Sequence, residues 1–86
     1  MFFVYVLKSL SDEKFYIGYT ADLKKRLGEH WSGRSLATKC RRPFTLVYYE
    51  TYRNSKDAFA RERFLKTGWG YNYLHRVLKN YLAEDK

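Results

Sequence analysis

The sequence predicts an α/β (α+β) fold: a small three-stranded, mainly antiparallel sheet flanked by helices, in the order ββαβαα. Three observations predict it. Two short β-branched and aromatic runs, residues 2–7 and 15–19, lie on either side of a polar turn. Apolar residues then recur at helical spacing from Leu23 onward. A third strand-like run, residues 44–52, is followed by two further stretches of helical periodicity.

Phe2-Phe3-Val4-Tyr5-Val6-Leu7 is unbroken, which suits a central strand covered on both faces. Polar residues 9–14 make a turn, and Phe15-Tyr16-Ile17-Gly18-Tyr19 returns as the antiparallel partner. Gly18 inside a strand marks a bulge or a close approach by another group. Thr20 is the expected N-cap of the first helix, with Asp22 in its first turn. That helix runs to about Trp31, with Leu23, Leu27 and Trp31 as its buried stripe and Arg26 and His30 along one flank. Residues 32–43 form a twelve-residue loop carrying Gly33, Pro43 and four basic side chains. After the third strand, Asn54 or Ser55 caps a helix over 56–66, with Gly68 at its C′ position. A last helix over about 71–83 carries Leu74, Val77, Leu78, Tyr81 and Leu82 on one face. The 86 residues are expected to form one domain, 1–86.

Composition narrows the function. Hydrophobic residues make up 45% and aromatics 20%, which excludes a disordered tail. One cysteine forms neither an internal disulfide nor a cysteine zinc site, so a reducing, cytoplasmic setting is expected. The longest apolar run falls far short of the roughly 20 residues that span a bilayer. The formal charge is +8, and seven basic residues between Lys24 and Arg42 face one acid there, Glu29. Such a patch attracts polyanions, and nucleic acid is the leading partner class.

No phosphate-binding glycine loop, nucleophile motif or two-metal carboxylate cluster is present. What stands out is tyrosine on both strands of a hairpin, an Arg-His pair on the next helix, and one misplaced acid. Glu62 follows Ala58 by four residues and precedes Leu65 by three, so it lies on an apolar stripe. Carboxylates are rarely buried without a partner or a metal. A salt bridge to Arg61, Arg63 or Arg26 is one explanation, and a functional role is the other. Trp31 and Trp69 are expected in the core, with Tyr71 and Tyr73 partly exposed; stacking of these four rings on unpaired bases is the alternative.

Tyr5, Tyr16-Ile17-Gly18, Arg26, His30 and Glu62, in that order, resemble the GIY-YIG nucleases over nearly the whole chain. The second family motif is intact as Tyr16-Ile17-Gly18, whereas Phe3-Val4-Tyr5 keeps only the tyrosine of the first. The chain looks most like the small stand-alone bacterial members. The resemblance implies a metal-dependent endonuclease acting on DNA, selective for branched, flapped or single-stranded structure rather than sequence, in repair or recombination. It implies Glu62 as ligand of one Mg²⁺ or Mn²⁺ ion and Arg26 as neutraliser of the phosphate oxygens. Tyr16 is the first choice as base and Tyr5 places water or phosphate, with the reverse assignment open. Free tyrosine titrates near pH 10, so either phenol needs nearby cations to act at neutrality. His30 is implied as a proton shuttle or a phosphate contact. Asn72 is the one nearby candidate for the asparagine that many relatives place beyond the glutamate. Lys24, Lys25, Arg34, Lys39, Arg41 and Arg42 are expected to contact phosphates. A non-catalytic nucleic-acid-binding module and a protein-binding core are the competing readings.

Overall fold

A computed structural model describes residues 1–84. Strand β1 (Phe2–Ser9) lies at the centre of the sheet, between β2 (Phe15–Thr20) and β3 (Phe44–Tyr52), and pairs antiparallel with both. Its unbroken apolar run matches that position, because both of its faces are covered. Val4 and Val6 pack with Ile17 against Ala58, Leu65, Leu74 and Leu78 of the C-terminal helices. Tyr5 and Leu7 point the other way, packing with Phe44 and with Leu23 and Leu27 of the first helix. A register shift between Val6 and Leu7 sets Tyr48 opposite the former and Leu46 opposite the latter.

Helix α1 (Leu23–Ser32) is capped by Asp22, whose side chain accepts from the Lys25 N–H, and not by Thr20. Thr20 ends β2, and its hydroxyl accepts from the Asp22 N–H, which fixes the turn into the helix. The expected stripe is also rotated. At 100° per residue, Trp31 lies about 80° around the axis from Leu23 while His30 lies about 20° away. His30 is accordingly fully buried and Trp31 is 44% exposed.

Residues 34–43 are organised rather than irregular. A short 3₁₀ turn, Lys39–Arg41, follows buried Ser35 and Thr38. Arg41 joins this segment to the β1–β2 turn: its carbonyl accepts from the Ser9 hydroxyl, and its guanidinium holds Asp12 at 2.8 Å.

Helices α2 (Ser55–Leu65) and α3 (Gly68–Val77) are joined by Lys66 and Thr67 alone. Asn54 caps α2, and Thr67 caps α3 by accepting from the Gly70 N–H while donating to the Phe64 carbonyl. Gly68 therefore opens α3 instead of closing α2. Gly70 packs on the Phe64–Leu65 backbone, and a β-carbon there would collide with it. Trp69, beside it, turns outward and is 79% exposed, against the core position expected for it. The single last helix is in fact two, α3 and α4 (Lys79–Glu84), broken at Leu78, and Val77 is exposed. Among the described residues no helix is long and apolar enough to cross a membrane.

Candidate active site

Tyr5 stands directly opposite Gly18 in the β1–β2 ladder. Gly18 has no side chain, so the Tyr5 ring lies flat across the space a β-carbon would fill. The phenol is thereby buried and aimed at α1, where its oxygen lies 2.7 Å from His30 Nε2. His30 Nδ1 lies 2.7 Å from Thr38 Oγ1. Three side chains from β1, α1 and the basic loop thus form one buried chain.

Electrostatics set the protonation along it. Burial pushes the Tyr5 phenol up to about 12, against the pull of the nearby Arg26 guanidinium. Burial, reinforced by the charge of Arg26, holds the His30 imidazole down at about 4. At neutral pH the phenol keeps its proton and the imidazole is uncharged. A phenol that keeps its proton can donate it to the unprotonated Nε2 of His30. In that tautomer His30 carries its hydrogen on Nδ1 and donates to Thr38.

Tyr16, on the same face of β2, brings its ring within 6.4 Å of Tyr5 and 5.2 Å of His30. Arg26 is held by Glu29 at 2.9 Å and by the Ser35 hydroxyl at 3.3 Å, and Glu29 is the chief cause that raises its already high pKa further. Its side chain keeps 31% exposure, which leaves it open to a ligand. Glu62, on α2, is 14% exposed and paired at 3.0 Å with Lys66, not with any of the three arginines considered from the sequence. Its carboxylate still acts on Tyr5, adding a small upward push to that phenol. Tyr5, Tyr16, Arg26, His30 and Glu62 thus share one electrostatic neighbourhood at the β2 side of the sheet.

Arg61 has another partner, which the sequence reading missed. It forks onto Glu50 at 2.9 and 3.0 Å, and Tyr48 and Tyr52 donate to the same carboxylate. Burial raises the Glu50 carboxyl, but Arg61 and the two phenols outweigh it and hold it below the usual value. The signal was available: Tyr48, Glu50 and Tyr52 alternate on β3, so the acid shares the inward face with two aromatics. Thr38 and Ser35 gave no such signal.

Of the six cations expected on phosphates, Lys24, Lys25, Arg34 and Lys39 project as exposed side chains. Arg41 is tied to Asp12 and to the Lys14 and Phe15 carbonyls. Arg42 lies across Gly33 and donates to the Lys39 and Trp31 carbonyls. Asn72 sits exposed within α3 and caps nothing.

Among the described residues no three His, Cys, Asp or Glu side chains gather as a metal cage. The Lys66 ammonium shows that the sheltered Glu62 carboxylate accommodates a cation at contact distance. One carboxylate with open positions fits a hard ion completed by phosphate and water, as Mg²⁺ and Mn²⁺ sites are, and does not fit a closed structural site.

A family model described as the GIY-YIG catalytic domain matches residues 1–70. The chain is 41% identical over 68 residues to a UPF0213 protein of Pediococcus acidilactici, covering 76% of this chain and 68% of that one. It is 42% identical over 66 residues to a UPF0213 protein of Staphylococcus epidermidis, covering 76% and 79%. A UPF0213 protein of Bacillus halodurans, solved by NMR in solution, aligns over 100% of this chain and 86% of its own, with 32% identity and a TM-score of 0.49.

Proposed function

The chain belongs to the GIY-YIG catalytic domain family, and from that premise we propose that it is a divalent-metal-dependent endonuclease hydrolysing DNA phosphodiester bonds. The observation that carries the proposal is the convergence of Tyr5, Tyr16, Arg26 and His30 on one spot within reach of the Glu62 charge. We take the activity to reside in a single domain, 1–86. Its setting is cytoplasmic, and its targets are branched, flapped or single-stranded DNA in repair or recombination.

Each side chain has a task that follows from its surroundings. Arg26, protonated and partly open, meets the non-bridging phosphate oxygens, whose charge grows toward the transition state. Tyr16 orients the attacking water and, once its own phenolic proton has passed to solvent, takes the water's proton, because the Tyr5 hydroxyl is already engaged by His30. Glu29 and Ser35 hold Arg26 in place. A buried, uncharged imidazole serves as a proton relay and not as a phosphate-binding cation. Glu62 would hold Mg²⁺ or Mn²⁺, which when bound supplies positive charge to the leaving oxygen. Lys24, Lys25, Arg34 and Lys39 anchor the flanking phosphates without reading sequence.

The second reading is a binding module with the same fold. The Glu62–Lys66 ion pair favours it, since the carboxylate already has a cation. Incubating the protein with labelled duplex, single-stranded, flapped and branched DNA separates the two. Cleavage with Mg²⁺ or Mn²⁺ that chelator abolishes is the expected result; binding without cleavage under every condition supports the module.

A further inference from the structure

Strand β2 is an edge of the sheet, and a groove of about 770 Å³ runs along its open side toward α3. That volume lies within the roughly 300–1,000 Å³ of small-ligand sites. Tyr16 lines the groove, and so does Lys66, the ion-pair partner of Glu62, so it borders the proposed catalytic residues at these two points. Phe15, Tyr71 and His75 give it an aromatic lining. Tyr71 and His75 lie with ring centroids 4.0 Å apart, and Phe15 is 5.3 Å from His75. The His75 Nδ1–H donates to the Tyr71 carbonyl at 2.9 Å, which locks the imidazole over its neighbour. Tyr71 is nevertheless 57% exposed, an aromatic surface kept in water. Exposed Lys14 and Lys66 line the groove and can each meet an anion, Lys66 by exchanging its contact with Glu62.

We infer that this groove seats an unpaired nucleotide next to the cleaved bond, with its base stacked on Tyr71 and His75 and its phosphate met by Lys14 and Lys66. The inference rests on the nuclease proposal for the identity of the substrate and deepens it by naming the strand end that the site accepts. An aromatic floor beside cationic rims is the recurring solution for holding single strands without reading sequence. A base inside a duplex has both faces covered by its neighbours and has none to offer Tyr71, so the groove selects strands that are flapped or frayed. Lys66 lies at the junction: it lines the groove and touches Glu62, so a phosphate that draws it away uncovers the carboxylate.

The test uses the full chain in chelator, so that binding is read without cleavage. The probes are a flapped DNA with 2-aminopurine in its unpaired arm and a fully paired duplex of equal length. Wild type should quench the flap fluorescence. Tyr71→Ala should lose the quench and weaken flap binding roughly tenfold while duplex binding changes by less than about twofold. If Tyr71→Ala melts early, His75→Ala decides by the same readout. No quench with wild type overturns the inference, as does an equal effect of the substitutions on both DNAs. Failure of the nuclease proposal is read separately, as wild type that quenches the flap yet cleaves nothing when metal is restored.

Discussion

Tyr5 and Gly18 face each other across the β1–β2 ladder, and the ring of one occupies the space where a side chain of the other would begin. The intact Tyr-Ile-Gly motif thereby acquires a physical reason: its glycine is the recess that lets the opposing tyrosine reach His30. Gly18→Ala should force the ring aside, destabilising the fold by about 1–3 kcal/mol and breaking the 2.7 Å contact to His30. Urea denaturation measures the first effect. Gly28→Ala is the control. A β-carbon there meets nothing within 4 Å, and the change should stabilise α1 by about 0.5–1 kcal/mol.

The buried imidazole makes stability fall with acid. His30 is held at about 4 against an ordinary value of 6.5. Above 6.5 both the folded and unfolded forms are neutral and no penalty arises. As pH falls from 6.5 toward 4 only the unfolded chain takes up the proton, and folding loses up to roughly 3 kcal/mol. Carboxylates held low in the fold, such as Glu29 and Glu50, add their own losses nearer their ordinary 4.5. Denaturation midpoints between pH 6.5 and 5 should therefore slope for wild type and lie flat for His30→Gln.

Arg61 fixes the rotation of the helix that presents Glu62. Removing its guanidinium leaves the Glu50 carboxylate with two phenols and no counter-charge. Arg61→Ala should cost about 2–4 kcal/mol by thermal or chemical denaturation, while an exposed substitution such as Lys56→Ala changes little. Equal stability of the two variants would show that the Glu50 cluster contributes nothing to holding α2.

The cations of the loop divide into two groups that sequence cannot separate. Replacing Lys24, Lys25, Arg34 or Lys39 by alanine should each lower the slope of log affinity against log salt by about 0.7–0.9, with the melting temperature unchanged. Arg41→Ala should instead lower the melting temperature, because that guanidinium ties the loop to Asp12 and to two carbonyls of the hairpin. Fluorescence anisotropy across a salt series, paired with melting curves, reads both.

The strands and the order of elements were legible because their signals are local. The run at 2–7 alternates with nothing, so it belongs in the middle of a sheet, and β3 carries β-branched and aromatic residues from end to end. Gly18 was legible as a close approach, though not as the seat of Tyr5. The errors came from helix geometry read too coarsely and from long-range packing. A stripe written as i, i+4, i+8 drifts around the helix, which put Trp31 in water and His30 in the core. The partner of Glu62 depended on which arginine Glu50 had already taken, a pairing between β3 and α2 that helix spacing does not encode. Thr38 lies eight residues beyond His30 in a segment with no periodicity, and only the folded loop brings its hydroxyl to the ring.

The most direct test of the central proposal compares wild type with Glu62→Gln in single-turnover cleavage of flapped DNA with Mn²⁺, with binding and melting temperature measured in parallel. The exposed partner Lys66 makes the ion pair worth less than about 1 kcal/mol, so the variant should fold and bind like wild type. It should lose cleavage by a factor of roughly 10² or more. Cleavage by Glu62→Gln at the wild-type rate, or loss of fold and binding together with activity, would contradict a metal-holding role for this carboxylate.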